Sequence, residues 1–252
     1  MNGREDLKAK IDGLSDSAIR FVTRMVDSLS SPPASTIKDP DAWISRTDEW
    51  IEYFGLALSV HHGTTKDALG LNGFETAFCN ACESVGWEIE RAESATHRFS
   101  DLTVKDRRGK RRRLSLKSTA AQKISPKTAH ISKLTEAAWI QDTRSASTRR
   151  EKTLALFREY TDAVDSIIML RAFRKKNEMP NRYQLVEIPT EMFDSLQNTS
   201  AAQFSSDGPR VFCSYKDNEQ AAQISLDRSD AKITVSRISL GVCTIHAEWE
   251  LT

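Results

Sequence analysis

Two acidic residues and a lysine are the side chains of this sequence whose types and spacing could do chemistry. Asp101 and Lys117 stand in two short segments where polar and apolar residues alternate, and Glu75 precedes both. Such alternation is typical of β-strands, so we expect Asp101, Thr103, Ser115 and Lys117 on one face of a sheet. Carboxylates beside a lysine suit the metal-assisted hydrolysis of a phosphodiester.

The chemistry assigns a task to each of the three side chains. Mg²⁺ prefers oxygen ligands and is usually held by one or two carboxylates together with phosphate oxygens of the substrate. Asp101 and Glu75 could supply those carboxylates. The ammonium of Lys117 could contact the same phosphate and orient the attacking water.

Each of these residues also has a purely structural interpretation. Glu75 stands three positions after Asn72, a spacing that could close a capping box at the start of a helix. A single Asp in a strand is often a solvated edge residue, and a single Lys is usually at the surface. Spacing alone leaves these alternatives open.

Length and composition point to a globular protein of ordinary size. The chain has 252 residues, of which 39% are hydrophobic, and this suits one domain with a sizeable core. It contains no apolar run of about 18 residues, the length typical of a membrane span. The first residues carry no apolar signal-peptide core. We therefore expect a cytoplasmic protein without membrane association.

The four cysteines do not form a convincing metal or disulfide framework. Cys79 and Cys82 have C-x-x-C spacing, but no second C-x-x-C pair completes a zinc site, and Cys213 and Cys243 lie far away. Free cysteine packs as a small apolar residue. Buried free thiols are the favoured interpretation.

Positive charge is concentrated in one part of a chain whose formal net charge is only +1. A basic tract of this kind predicts contacts with DNA phosphates, although a solvated hairpin or a localisation-like tract stays possible. The candidates for phosphate contact are Arg107, Arg108, Lys110, Arg111, Arg112 and Arg113. The candidates for reading base edges in a groove are Gln122, Lys123, Lys127, His130 and Lys133.

Periodicity and turn signals predict a mixed α/β sheet flanked by helices, with a strand-rich C-terminal portion. Asp106 to Gly109 is expected to form a tight turn between two strands. The predicted helices cover residues 15–29, 47–59, 74–85, 131–138, 148–174 and 191–196. The predicted strands cover residues 87–90, 101–104, 114–117, 183–189, 211–215, 222–226, 232–235 and 243–246.

The order of Glu75 on a helix, Asp101 on a strand and Lys117 on the next strand resembles the PD-(D/E)xK nucleases. More narrowly, most of the chain from Phe54 onward resembles the SmaI-type restriction endonucleases. The markers of this resemblance are Phe54-Gly55, His61-His62, Phe74 to Phe78, Ala92-Glu93-Ser94 before Asp101, Leu116-Lys117 with Ala120-Ala121, Ile124-Ser125, His130 to Lys133, Tyr183 to Pro189, and Ile245-His246 with Trp249.

The resemblance implies a type II restriction endonuclease of a prokaryotic restriction-modification system. It implies an α/β (α+β) restriction-endonuclease-like fold and a Mg²⁺-dependent homodimer that cuts both strands of double-stranded DNA at a short, G·C-rich palindromic site. A helical region over residues 1–60 and a nuclease core over residues 61–252 are expected to form one integrated domain.

The sequence departs from the broader nuclease pattern where an acid is expected two residues before the lysine. Ser115 stands there and cannot supply a charged metal ligand, so a weak or water-mediated contact is the catalytic contribution expected of it. SmaI-type enzymes are also expected to lack this acid. By the resemblance, Glu75 is the first candidate to compensate, followed by Glu136 and Glu93, and the main-chain carbonyl of Leu116 is a further ligand.

Two other functions remain open at this point. One is a repair or structure-specific nuclease that uses the same metal site. The other is a sequence-specific DNA-binding module in which Ser115 marks a catalytically weak centre.

Overall fold

The protein is built from eleven strands and six α-helices over the described part of the chain. The computed structural model describes residues 3–91 and 99–251. The strands are β1 (Ala34–Ile37), β2 (Glu88–Arg91), β3 (Leu102–Lys105), β4 (Arg111–Thr119), β5 (Thr128–Glu136), β6 (Ser166–Phe173), β7 (Arg182–Pro189), β8 (Arg210–Tyr215), β9 (Asn218–Asp227), β10 (Lys232–Ser239) and β11 (Thr244–Glu250). The α-helices are α1 (Gly3–Asp12), α2 (Asp16–Ser30), α3 (Asp48–Thr64), α4 (Leu71–Ser84), α5 (Trp139–Asp142) and α6 (Ala146–Ala163). Short 3₁₀ helices cover Thr190–Asn198, Ala201–Phe204 and Leu240–Val242.

A seven-stranded mixed sheet forms the centre of the fold. Its strand order is β1-β11-β7-β6-β4-β3-β2, and a second sheet has the order β5-β10-β9-β8. In the central sheet β4 and β6 run parallel, whereas the other neighbouring pairs run antiparallel. The chain that joins these two parallel strands contains β5, α5 and α6, as a crossover connection requires.

Each face of the central sheet is covered by its own hydrophobic core. On one face, apolar residues of α3 and α4 pack against β3, β4, β6, β7 and β11. On the other face, α6 and the second sheet pack against β6 and β7. The central strands are therefore buried on both sides, and this explains the uninterrupted apolar run Ile167 to Leu170 in β6.

The predicted fold class is confirmed, but two predicted helices are wrong. Residues 131–138 were expected to be helical, whereas this segment lies mostly in β5. The helix predicted for residues 148–174 ends at Ala163, and the remainder forms β6. In both segments the apolar spacing fits a helix, but pairing with neighbouring strands decides the structure, because short apolar runs do not distinguish the two.

The predicted turn at Asp106 to Gly109 and the predicted free thiols in α4 are confirmed. The turn between β3 and β4 is closed by the N–H of Gly109, which donates to the carbonyl of Asp106 at 2.8 Å. Gly109 has a φ of 79°, a conformation that side chains disfavour. Cys79 and Cys82 are buried free thiols in α4. Across the described residues, no helix combines the length and the apolar character needed to span a bilayer.

Candidate active site

Strands β3 and β4 place Asp101, Ser115 and Lys117 beside one another. Asp101 directly precedes β3, and its main-chain N–H donates to the carbonyl of Leu114 at 2.8 Å. Leu114 and Leu116 are completely buried in the core beneath α4. Because side chains alternate along a strand, Ser115 and Lys117 point to the opposite face, as the sequence predicts.

One carboxylate oxygen of Asp101 makes three contacts. Its Oδ2 accepts hydrogen bonds from the N–H of Leu116 at 2.5 Å and from Oγ of Ser115 at 3.1 Å. Nζ of Lys117 lies 3.6 Å from the same oxygen. The other oxygen accepts no hydrogen bond from a described residue, and the side chain is 36% exposed. The carboxylate is thus held in place while retaining capacity for a ligand.

Ser115 joins the carboxylate to the lysine. Its side chain is almost fully buried, and its Oγ accepts a hydrogen bond from Nζ of Lys117 at 2.8 Å while donating to Asp101. Nζ of Lys117 also donates to the carbonyl of Leu116 at 3.1 Å. A hydroxyl at this position adds no charge, but it fixes the positions of the two charged groups.

Glu75 is the acidic side chain that α4 brings to this cluster. Burial raises the pKa of Glu75, and the nearby charge of Asp101 raises it further, while Lys117 and Arg91 oppose the shift. These interactions place Glu75 within electrostatic reach of both strand residues. The helix begins at Leu71 after an N-cap at Gly70, so Glu75 is too far into the helix to close a capping box.

The donor set fits a hard divalent cation that keeps part of its water shell. Within residues 3–91 and 99–251, no three His, Cys, Asp or Glu side chains form a metal cluster. Mg²⁺ does not require one, because water and substrate oxygens complete its coordination. The charge of Asp101 adds to the raised pKa of Glu75, a cation between the two carboxylates would relieve this repulsion, and the Leu116 carbonyl adds a neutral oxygen nearby.

Glu136 and Glu93 are the other two acids that could compensate for the uncharged Ser115. Glu136 ends β5 in the second sheet, is exposed, and accepts a hydrogen bond from Nζ of Lys133 at 2.5 Å. That hydrogen bond lowers the pKa of Glu136. The residue was expected on a helix, but it lies on strand β5. Glu93 lies outside the described residues.

Tyr160 is a buried neighbour of the cluster that periodicity in the sequence did not single out. It lies in α6 and is completely buried, and its hydroxyl has no hydrogen-bond partner among the described residues. Burial raises the pKa of this hydroxyl, the proximity of Ser115 opposes the shift, and the charge of Asp101 adds to it. Its helical spacing from Phe157 and Val164 puts a phenol hydroxyl on the buried side of α6, and this spacing is the signal that could have identified it.

The hairpin turn that carries half of the basic tract lies at the far end of β4 from Lys117. A strand rises about 3.3 Å per residue, so the six positions between Arg111 and Lys117 span about 20 Å. Arg107, Arg108 and Lys110 are exposed in or beside this turn. Their distance from the cluster argues against contact with a phosphate bound beside Asp101 and Lys117.

Three arginines of the tract are paired with carboxylates. Arg111 pairs with Glu90, and Nη2 of Arg113 lies 2.5 Å from Oδ1 of Asp165. Nη1 of Arg112 lies 3.0 Å from Oδ2 of Asp106. The pairings come from tertiary structure and could not be anticipated from the basic run.

Arg112 is buried inside the protein and has a structural role. Its side chain is buried, and its guanidinium lies 4.5 Å from the centre of the Trp43 ring. Hydrogen bonds from the turn and from Arg112 lower the pKa of Asp106 although burial opposes this. Arg112 therefore holds the hairpin against the core, which removes it from the candidates for phosphate contact.

The candidates for base reading are spread over two regions. Gln122, Lys123 and Lys127 are exposed in the segment between β4 and β5. His130 is exposed on β5, and Lys133 on the same strand is paired with a carboxylate. Only the first region continues directly from the strand that carries Lys117.

A second polar cluster lies inside the protein around Glu187 of β7. Oε2 of Glu187 accepts from Nε1 of Trp43 and contacts Nε2 of His246, both at 3.0 Å, and Oε1 accepts from Oγ of Ser166 at 2.7 Å. His246 is completely buried, and its Nδ1 lies 3.1 Å from Oγ of Ser45. All of these groups are satisfied by one another.

Comparison with known proteins identifies the family of this chain. The family model SmaI, described as type II site-specific deoxyribonuclease, matches residues 7–251. The chain is 28% identical over 212 residues to the type II restriction enzyme SmaI of Serratia marcescens, and the match covers 81% of this chain and 80% of that relative. No solved structure matches the chain. The protein therefore belongs to the SmaI family of type II site-specific deoxyribonucleases and is a restriction endonuclease that acts on DNA.

Proposed function

We propose that this restriction endonuclease uses Mg²⁺ to hydrolyse both strands of double-stranded DNA at a short, G·C-rich palindromic site in the cytoplasm of a prokaryote. The observation that supports the proposal is the contact between Asp101 and Lys117 at one end of the central sheet, to which Glu75 of α4 is electrostatically coupled. This combination of charges matches the chemistry of phosphodiester cleavage, in which negative charge builds up on the phosphate.

Asp101 and Glu75 would hold the cation, with the main-chain carbonyl of Leu116 as a neutral ligand. When bound, Mg²⁺ makes a coordinated water more acidic and offsets the negative charge that develops on the phosphate. Asp101 is suited to this task because its Oδ2 is held by the strand, while its other oxygen has no partner among the described residues. Glu75 contributes the charge that Ser115 lacks.

Lys117 would orient the attacking water and contact the phosphate. Its side chain is 18% exposed, so it is not sealed in the core, and Ser115 and the Leu116 carbonyl fix the direction of its ammonium. A cation held in advance needs little reorganisation when charge develops. Ser115 acts through its two hydrogen bonds, and it positions Lys117 and Asp101 without contacting the substrate.

A homodimer would account for cleavage of both strands. A palindrome has two-fold symmetry, and two identical subunits related by the same symmetry present one active site to each strand. The G·C-rich character of the site is carried over from the family resemblance and is independent of the geometry of Asp101 and Lys117.

The test is to incubate the purified protein with an intact plasmid and Mg²⁺ and to sequence the fragment ends. We expect discrete fragments whose ends fall within one G·C-rich palindrome. Cleavage restricted to flaps or mismatches would indicate a structure-specific nuclease instead. Sequence-specific binding without cleavage would indicate a catalytically weak module.

A further inference from the structure

A groove with a volume of about 580 Å³ opens beyond the carboxyl ends of β4 and β6. Four cationic side chains, Lys123, Arg174, Lys175 and Arg182, contribute to its lining, and Glu250 is the acid among the lining residues. We propose that this cationic groove binds the DNA backbone next to the phosphate that is cut. The inference rests on the proposed function and identifies the surface by which the substrate is held.

The cationic groove lies at the same end of the sheet as the active-site cluster. Nε of Arg174 donates to the carbonyl of Ala120 at 2.9 Å, and Ala120 is three residues after Lys117. Three residues of extended chain span about 10 Å. Successive base pairs are about 3.4 Å apart along a duplex, so one DNA molecule can reach both places within about three steps.

Most of the positive charge in the cationic groove is available for a phosphate. Among the residues that the structure describes, Lys123, Arg174 and Lys175 form no ion pair. Arg182 lies 3.7 Å from Oε1 of Glu248, and its guanidinium stacks at 4.1 Å over the ring of Phe173. In contrast, the three arginines of β4 are paired with carboxylates. The basic run from Arg107 to Arg113 is more conspicuous in the sequence, but it offers less unpaired positive charge near the active-site cluster.

The main chain that carries these cations is held in place before any DNA arrives. Arg171 is completely buried and donates from Nη2 to the carbonyls of Ser125 and Thr128, which fixes the segment after β4. The loop between β6 and β7 is closed by the N–H of Asn181, which donates to the carbonyl of Phe173 at 2.9 Å. A surface ordered in advance loses less conformational entropy on binding.

The experiment compares three pairs of substitutions that each remove two positive charges. The groove variant carries Lys123→Ala and Lys175→Ala, and the hairpin variant carries Arg108→Ala and Lys110→Ala. The matched control carries Lys152→Ala and Lys216→Ala, which remove exposed lysines elsewhere. Binding to a fluorescent duplex of random sequence, with Ca²⁺ replacing Mg²⁺ to prevent cleavage, is measured as a function of salt concentration.

We expect the groove variant to lose affinity on the order of tenfold at moderate salt and to flatten the salt dependence by about 2 units, because each phosphate contact contributes about 0.9. The control variant should retain the affinity of the wild type. Thermal unfolding checks that all variants fold alike, as expected for exposed lysines and arginines.

Two results would overturn the cationic groove as the backbone site. One is a groove variant that binds like the control, and the other is a hairpin variant that loses as much affinity as the groove variant. If the wild type cuts plasmid while either result is obtained, the proposed function stands and this inference fails. If the wild type neither binds the duplex nor cuts plasmid, both fail.

Discussion

Two clusters in this protein combine a carboxylate with hydroxyl and basic side chains, yet they are built in opposite ways. Around Asp101, one oxygen is held by Ser115 and Leu116, and the side chain remains 36% exposed. Around Glu187, both oxygens are occupied by neighbouring donors, and the contacting His246 is completely buried. We call the cluster around Asp101 the open cluster, because it retains an oxygen that can bind a ligand. We call the cluster around Glu187 the closed cluster, because its hydrogen bonds are all made within the protein and stabilise the fold.

The difference shows that residue types alone do not identify a catalytic centre. Ser45, His246 and Glu187 follow the order hydroxyl, imidazole and acid that nucleophilic catalysis uses. However, Ser45 is only 1% exposed, and its Oγ donates to the main-chain carbonyl of His246 at 3.1 Å. No substrate can reach this hydroxyl, so the closed cluster fastens the segment before α3 to β11 and β7.

The largest expected effect is on the rate of DNA cleavage, which should depend on the open cluster around Asp101. Asp101→Asn removes the charge that would hold Mg²⁺ while preserving the size of the side chain. We expect the rate of plasmid cleavage to fall on the order of 10³-fold, equivalent to about 4 kcal/mol of transition-state stabilisation. Asp194→Asn, at an exposed position outside both clusters, is the matched control. Cleavage at the wild-type rate by the Asp101 variant would contradict the assignment of catalysis to the open cluster.

The second prediction is that the closed cluster around Glu187 contributes to the stability of the fold. Glu187→Ala leaves His246, Trp43 and Ser166 without their acceptor inside the protein. We expect the free energy of unfolding to fall by about 3 to 5 kcal/mol, the range typical for breaking a buried pair. Urea denaturation measures this change. Cleavage per folded molecule should stay near that of the wild type, and a selective loss of cleavage would assign Glu187 to catalysis.

A smaller effect is expected from the hydroxyl that joins Asp101 to Lys117. Ser115→Ala removes the hydrogen bonds at 3.1 Å and 2.8 Å that position these two groups. We expect cleavage to fall by about 10- to 100-fold, as is typical of residues that orient metal ligands. Ser115→Thr retains a hydroxyl and should recover part of the activity. Equal activities for the Ala and Thr variants would show that the hydroxyl has no positioning role.

The smallest expected effects are opposite pH dependences of the two glutamates in metal-free protein. The folded-state pKa of Glu75 is raised by burial and by Asp101. Its contribution to stability is therefore full below the ordinary carboxyl pKa and is lost as pH rises through the raised pKa. Glu75→Gln should consequently increase the free energy of unfolding near neutral pH, with a difference that shrinks toward acid pH.

Glu187 should show the reverse sign. Burial opposes its ionisation, but hydrogen bonds from His246, Ser166 and Trp43 outweigh burial and lower its pKa. Its contribution is present above the ordinary carboxyl pKa and is lost as pH falls through the lowered pKa. Glu187→Gln should therefore destabilise near neutral pH. Urea denaturation in the presence of a chelator measures both variants, and the same sign for both would contradict the contrast between the clusters.

Much of the open cluster could be predicted from the sequence because its determinants are local. Alternation along Asp101 to Val104 and Leu114 to Lys117 sets which side chains share a face, and Gly109 supplies the turn between the strands. The order of acid, acid and lysine then indicated the chemistry.

The parts that could not be predicted depend on contacts between distant segments. Strand β6 reads as the end of a helix until its pairing with β4 and β7 is known. The role of Glu75 depends on the start of α4 at Leu71 and on the approach of Asp101. Likewise, Arg112 looks like a surface cation until Asp106 and Trp43 are seen to enclose it.

The most direct test of the central claim is the single-turnover cleavage rate of Lys117→Ala, measured with Mg²⁺ beside the rate of Lys216→Ala as a control. We expect the Lys117 variant to lose cleavage on the order of 10³-fold, since it lacks the cation held toward the phosphate. Its affinity for duplex DNA in Ca²⁺ should stay within about threefold of the wild type, because at most one of several phosphate contacts is lost. Wild-type cleavage by the Lys117 variant would contradict the assignment of the active site.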